Sequence, residues 1–347
     1  MVPPESFPRT PILTPSWPTR GPAPRARDHR GTASHGNRGK VPGPAAGYVG
    51  GVWSLAPAVP IELQLPSPLQ ELGDDRLARA GLRLLLKRDD LISAAIPGNK
   101  WRKLKYNLLA AREEGQQVLL TFGGAYSNHI AATAAAGYHY GFATIGVIRG
   151  EEHRPLNPVL RSAADYGMRL EYLDRAAYRR KDDPALLASL RRRFGGFYLL
   201  PEGGSNALAA HGCAEIPAEI SEPFGVICCP CGTGGTLAGL SHGLAAGQRA
   251  VGFSVLRGGE FLDRQVADLQ TAAFGGVSGN WSIDYGFHFG GFARRKPALD
   301  EFIAGFAARH GLVLDWVYPA KMMYGIYALA ERGVFAPGTT LVALITG

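Results

Sequence analysis

From about Ile61 to its end, the chain alternates short apolar runs with stretches whose apolar residues recur every three or four positions. Short runs bounded by Gly, Pro or Asn read as buried strands, and the longer periodic stretches as helices packed on one face. The pattern predicts strands over 118–122, 142–148, 169–173, 197–200, 226–229, 250–255 and 341–345. It predicts helices over 127–136, ended by Gly137, and over 156–166, 184–194, 237–246, 297–310 and 322–332. Gly311 and Gly333 follow the last two, where a left-handed residue closes a helix. A further helix opens at Lys100, with Trp101, Leu104, Leu108 and Ala111 on its apolar face. Strands alternating with helices are the mark of parallel βα units, so the fold class is α/β. No repeat of solenoid length is present.

Residues 1–50 break this pattern. They hold ten of the 25 prolines and almost no apolar periodicity, so they bury too little surface to offset the entropy of ordering. Residues 1–55 are therefore expected to form a disordered Pro/Arg-rich tail. A transit-like leader, a functional tail and upstream sequence outside the natural product all fit its composition. The prolines oppose a leader helix and favour the last reading. The tail also carries most of the charge: seven basic against two acidic side chains give +5 of the net +8. The rest of the chain carries only +3, which argues against nucleic acid as the partner of the body. With 46% apolar and 19% charged residues, that body has the composition of a globular enzyme. Its length usually divides into two domains. No apolar run approaches the roughly 20 residues needed to cross a bilayer, so no membrane span is expected.

Four cysteines, Cys213, Cys228, Cys229 and Cys231, do not make a disulfide framework in 347 residues. Three of them lie in Val226-Ile227-Cys228-Cys229-Pro230-Cys231 with no second Cys/His pair at ligand spacing. Small buried residues ending a core strand outweigh a metal cluster here, and no metal is expected. Reduced thiols point to the cytoplasm.

Four stretches carry chemistry. In Gly98-Asn99-Lys100-Trp101-Arg102-Lys103-Leu104 the amine of Lys100 stands at a helix start beside Arg102, Lys103 and Lys105. The positive helix end and those cations favour a free amine, although a solvated basic face is the usual fate of such a run. In Gly123-Gly124-Ala125-Tyr126-Ser127-Asn128-His129 a strand ends and a helix opens, making an anion pocket suited to a carboxylate. Ser127 is equally a helix cap, and His129 is an acid/base group or, slightly favoured, a packed residue. Pro201-Glu202-Gly203-Gly204-Ser205-Asn206 lines a ligand or reverses the chain, with even claim to each. Cys231-Gly232-Thr233-Gly234-Gly235-Thr236 leads a strand into a helix, and its N–H groups and two hydroxyls form a phosphate cup. The nucleotide P-loop and the G-x-G-x-x-G spacing are both absent. An amine for an aldehyde and a cup for a phosphate together point to pyridoxal 5'-phosphate.

Lys87-Arg88-Asp89-Asp90-Leu91, the Lys100 stretch, the Ser127 stretch, Pro201–Asn206, the glycine turn and Tyr318-Pro319-Ala320-Lys321-Met322-Met323 occur in that order. Over residues 60–347 the chain thus resembles the 1-aminocyclopropane-1-carboxylate deaminase/D-cysteine desulfhydrase family, pyridoxal-phosphate enzymes of the tryptophan-synthase-β-like fold type II. The resemblance implies two α/β domains, each a mostly parallel sheet flanked by helices, with the cofactor between them. A small domain at 103–199 would be inserted into a large one made of 56–102 and 200–347. It implies a homodimer acting on a small amino acid. Lys100 would be the Schiff-base lysine, Asn99 would hold a hydroxyl, and Lys103 with Gly232, Thr233, Gly234, Gly235 and Thr236 would hold phosphate. Asn128 would serve cofactor and substrate, Ser127 and His129 the substrate, and Thr346 would approach the pyridine nitrogen. Ser127 and Tyr318 would share catalysis with Lys100.

Departures from the family bear on the substrate. Cyclopropane deaminases resemble this chain except that Glu follows the tyrosine where Pro319 stands, and leucine replaces Thr346. A hydroxyl at the ring nitrogen strengthens the electron sink less than a carboxylate, which suits elimination of a good leaving group. The implied reaction is therefore D-cysteine to pyruvate, sulfide and ammonia, with opening of the cyclopropane acid as the alternative. Phe292 stands where the family often has a second tyrosine, so a catalytically silent cofactor-binding relative also remains.

Overall fold

The computed structural model describes residues 57–347, together with the backbone of a strand pair, β1 (Tyr48–Val49) and β2 (Val52–Trp53). The rest of the tail expected to be disordered lies outside the described residues. Along the body run β3 (Leu69–Leu72), α1 (Asp75–Arg79), β4 (Arg83–Arg88), α2 (Lys100–Glu113), β5 (Val118–Gly123), α3 (Asn128–Tyr140) and β6 (Ala143–Arg149). There follow α4 (Pro158–Asp165), β7 (Arg169–Leu173), α5 (Arg175–Tyr178), α6 (Pro184–Phe194), β8 (Tyr198–Leu200), α7 (Ala207–Ala214) and β9 (Val226–Cys231). The chain then forms α8 (Gly235–His242), β10 (Arg249–Ser254), α9 (Phe261–Phe274), β11 (Trp281–Asp284), α10 (Pro297–His310), α11 (Pro319–Glu331) and β12 (Thr340–Ile345).

The strands of the body form two sheets. One has the order β11-β10-β9-β12-β4-β3, parallel except for β3, and the other is the parallel set β7-β6-β5-β8. The first draws on both ends of the body and the second on its middle, within one compact unit. Unbroken apolar runs become strands here because helices cover both faces. Leu84 and Leu86 of β4, Val226 and Cys228 of β9 and Leu341 and Ala343 of β12 point to the core shared with Met322, Met323 and Ile326 of α11. Their neighbours Leu85, Ile227, Cys229, Val342 and Leu344 point to the other, with Leu237 and Leu240 of α8. The cysteines are thus small core residues of β9 and α7, all free and buried.

Several boundaries differ from expectation. Helix α3 does not end at Gly137 but runs to Tyr140 and closes at Gly141, whose φ is 76°. Gly137 serves packing instead: a Cβ there would lie 2.2 Å from Cγ2 of Thr144. Helix α11 begins at Pro319 rather than 322, because proline in the first turn has no N–H to lose. Helix α8 occupies 235–242 rather than 237–246. Its first residues look like loop because they are glycine and threonine.

Candidate active site

Helix α2 starts abruptly because Gly98 turns the chain with φ 62°, pressed against the last strand. A Cβ on Gly98 would lie 1.6 Å from the Thr346 carbonyl oxygen, so only glycine fits. The Asn99 N–H donates to that same carbonyl at 3.2 Å. From this fixed start the side chains fan out in two directions. Arg102 turns into a buried cluster, donating to both oxygens of Asp89 at 2.7 and 2.8 Å and to Glu219 at 2.7 and 2.8 Å. Lys87 completes it, donating to Glu219 at 2.9 Å and to the Ser67 carbonyl at 2.7 Å. Asn99, Lys100 and Lys103 face the other way.

That second face meets the glycine turn between β9 and α8. Nδ2 of Asn99 donates to Oγ1 of Thr236 at 3.1 Å. Nζ of Lys103 donates to the Gly203 carbonyl at 3.1 Å and to Oγ of Ser205 at 3.0 Å. Ser205 in turn lies 2.6 Å from Oγ1 of Thr233. The glycines allow close approach: a Cβ on Gly235 would stand 2.5 Å from Oγ of Ser205, and one on Gly232 3.1 Å from the Tyr318 ring. Gly234 has φ 69°, which lets the turn present its amides at the start of α8. Threonine hydroxyls, a lysine ammonium and helix-end amides are the donor set a phosphate monoester requires.

The Ser127 stretch forms the far wall. Oγ of Ser127 caps α3, accepting from the Ile130 N–H at 3.4 Å, so the cap reading holds. Asn128 donates to the carbonyl of Gly347 at 3.3 Å, joining this wall to the end of β12. His129 is buried and turned inward. The Thr121 hydroxyl donates to the Leu200 carbonyl at 2.9 Å, so it accepts from Nε2–H of His129 at 2.8 Å. Nδ1 is buried beside Gly204. Burial, reinforced by Lys100 and Lys103, holds the imidazole well below its usual pKa and therefore neutral.

Electrostatics single out Lys100. Burial pulls its amine down to about 7, the charge of Lys103 adds to this, and Cys213 and Asp315 oppose it. The sequence reading needs correction here. Arg102 and Lys105 are not free cations beside the amine: the first is neutralised by Asp89 and Glu219, the second by Glu215. Desolvation, not a crowd of positive charge, is the first cause. Burial also lowers Lys103 and raises the Tyr318 phenol, which therefore stays protonated.

The structure thus brings together Asn99, Lys100, Lys103, the Gly232–Thr236 turn, Tyr318 and the backbone of Thr346, with Ser127, Asn128 and His129 on the facing helix. Sequence reasoning missed Asp315, whose carboxylate accepts from the N–H groups of Val317 and Tyr318 at 3.0 and 2.9 Å. It also left Ser205 undecided, and overlooked Ser67 and Glu219 because their partners lie far along the chain. The cleft fits pyridoxal phosphate: a glycine cradle with hydroxyls at one end, and a deprotonatable amine on the adjoining helix.

Comparison with known proteins agrees. The family described as pyridoxal-phosphate dependent enzyme matches residues 62–347. A Pyrococcus horikoshii protein, provisionally named 1-aminocyclopropane-1-carboxylate deaminase, is 32% identical over 279 residues, 78% of this chain and 83% of that one. A D-cysteine desulfhydrase of Salmonella choleraesuis is 30% identical over 291 residues, 75% and 85% of the two chains. A crystal structure described as an ACC deaminase homologue superposes with a TM-score of 0.72 at 29% identity, covering 84% of this chain and 92% of that one.

Proposed function

Because this chain belongs to the family of pyridoxal-phosphate dependent enzymes, with relatives named for both D-cysteine desulfuration and cyclopropane-acid deamination, we propose that it is a lyase converting D-cysteine and water to pyruvate, sulfide and ammonia. When bound, pyridoxal phosphate takes up the electron pair left as a bond to the substrate α-carbon breaks. In this reading the amides of Gly232, Gly234 and Thr236, the hydroxyls of Thr233 and Thr236 and the Lys103 ammonium hold its phosphate. Asn99 and Asn128 would orient the cofactor, and Thr346 would offer its hydroxyl to the ring. Lys100 would hold the cofactor through its aldehyde, and its Nζ would take the substrate α-proton. An amine with a pKa of about 7 is suited to both tasks near neutrality. Ser127 and Asn128, with the main-chain N–H of His129, receive the substrate carboxylate at the start of α3, and Tyr318, kept protonated, delivers a proton toward the leaving sulfur.

The observation that carries this reading is the contact between Asn99 and Thr236 at 3.1 Å. It ties the residue next to Lys100 to the glycine turn, which supports reading the two as the ends of one small-cofactor site. Pro319, where cyclopropane deaminases resemble this chain but carry Glu, and the Thr346 hydroxyl, where they carry leucine, favour thiol elimination over ring opening. We further propose a cytoplasmic homodimer, with a small domain at 103–199 inserted into 56–102 plus 200–347. The test is incubation of the cofactor-loaded chain with D-cysteine or with 1-aminocyclopropane-1-carboxylate, followed by keto-acid detection. Pyruvate from D-cysteine is expected. Faster turnover of the cyclopropane acid overturns the choice, and no keto acid from either makes the chain a silent relative, a reading that Phe292 favours.

A further inference from the structure

Lys321 belongs to α11, one turn beyond Tyr318, and takes no part in the chemistry described above. Its side chain is 0% exposed, yet it has no carboxylate within ion-pair distance among the described residues. Nζ instead donates to two main-chain carbonyls of the segment after β11, His288 at 2.9 Å and Gly291 at 2.8 Å. The Asp315 carboxylate supports its charge from beyond ion-pair distance, so the two carbonyls are its direct partners, and burying an ammonium without a contacting carboxylate is costly.

The segment it grips is strained. Phe289 and Ala293 have φ of 54° and 49°, positions that L side chains rarely adopt, and Gly290 and Gly291 between them have φ of 100° and 118°. Its own bonds are short-range: the Gly290 N–H donates to Nδ1 of His288 and the Gly291 N–H to the His288 carbonyl. Phe292 stands at the tip, 46% exposed, with its ring edge-on to Tyr318 at 6.0 Å. Tyr318 packs in turn on Gly232 of the phosphate cup. A continuous path therefore runs from Lys321 through two carbonyls and Phe292 to the ring of Tyr318.

We propose that Lys321 is a positioning residue. Its ammonium clamps the strained 288–293 segment so that Phe292 stands against Tyr318 and limits the bulk of the substituent the site admits on the substrate β-carbon. The part about the substrate rests on the proposed function; the clamp itself does not. Free thiols pass Phe292, whereas large β-thioethers meet the ring.

Two readouts test this. Arg294 and Arg295 follow the clamped segment and are exposed, so trypsin reports its opening. In the cofactor-free chain, Lys321→Met should speed cleavage after Arg294 by about tenfold relative to cleavage at exposed Arg180, the size of losing one charge-assisted hydrogen bond. Equal acceleration at both sites, or none, overturns the clamp. In the loaded enzyme, Lys321→Met and Phe292→Ala should each raise kcat/KM for S-benzyl-D-cysteine over that for D-cysteine by about tenfold, with no further gain in the double variant. An unchanged ratio in Phe292→Ala overturns the specificity role, and additive gains overturn its dependence on Lys321. Should Lys321→Met not fold, Gly291→Ala disturbs the same carbonyl from the segment's side and is expected to reproduce both effects. A wild-type chain that binds the cofactor and turns over neither D-cysteine nor its S-benzyl derivative refutes the proposed function, while the trypsin readout still decides the clamp.

Discussion

The two faces of α2 treat positive charge in opposite ways. On one, Arg102 is 2% exposed and saturated by Asp89 and Glu219, so its charge is spent on holding the helix start. On the other, Lys103 donates to a carbonyl and a hydroxyl, neither it nor Lys100 forms an ion pair among the described residues, and burial depresses both. Paired charge next to unpaired charge, two residues apart, separates scaffold from chemistry. The partnered guanidinium fixes where the helix begins; the unpartnered amines are left able to react or to hold an anion.

The largest effect should come from the unpaired side. Lys100→Ala removes the amine and is expected to cut keto-acid formation by at least about 10³-fold, the scale of losing a positioned base, as steady-state assays would show. On the paired side, Glu219→Gln leaves Arg102 and Lys87 short of a carboxylate. A loss of about 3–5 kcal/mol in folding stability is expected from denaturant midpoints, because a buried charge loses its partner. Hydrogen bonds from Arg102 and Lys87, working against burial, hold this carboxyl down to about 2. Its contribution is therefore present above the usual carboxylate pKa and lost as pH falls toward about 2, a slope the variant should lack.

The amine gives the same slope in a higher pH window, from the opposite cause: burial disfavours its charged form, whereas ion pairing favours the charged form of Glu219. Lys100 is depressed to about 7 in the folded chain but titrates near about 10.4 when unfolded. Between those values the unfolded chain binds more protons, so cofactor-free stability should rise with pH across this window. Lys100→Met should flatten that rise in denaturation measured at both ends. Smaller still, Thr236→Val takes a hydroxyl from the cup and the partner from Asn99, and cofactor affinity measured by titration should fall about tenfold. The smallest change is expected at Lys105, whose pair with Glu215 is partly exposed; Lys105→Met should cost no more than about 1 kcal/mol.

Much of this contrast could be read from the chain before folding. Continuous apolar runs such as 226–229 and 341–345 announce strands buried on both sides, and the glycine turns mark where those strands end. The glycine turn proposed to hold phosphate was legible as a strand-to-helix turn because its residues are contiguous. The paired face was not: Ser67, Asp89, Arg102 and Glu219 meet only through the fold, and nothing local distinguishes Arg102 from the neighbouring cations. The edge strand β3, helix α1 and strand β4 also escaped expectation, since Arg83–Arg88 is flanked by charge and its burial comes from β12. Gly137 misled because it looks like a helix end while serving as a contact with Thr144. The 288–293 segment is least legible, as its backbone is strained and two of its carbonyls are held by Lys321 of a later helix.

The central claim is that Lys100, and no other buried amine, carries pyridoxal phosphate. Borohydride reduction of the cofactor-loaded chain, followed by peptide mapping, tests it most directly. The expected result is one pyridoxyl group, on Lys100, absent from Lys100→Ala. A label on Lys103 or Lys321, or none on any lysine, would contradict the account.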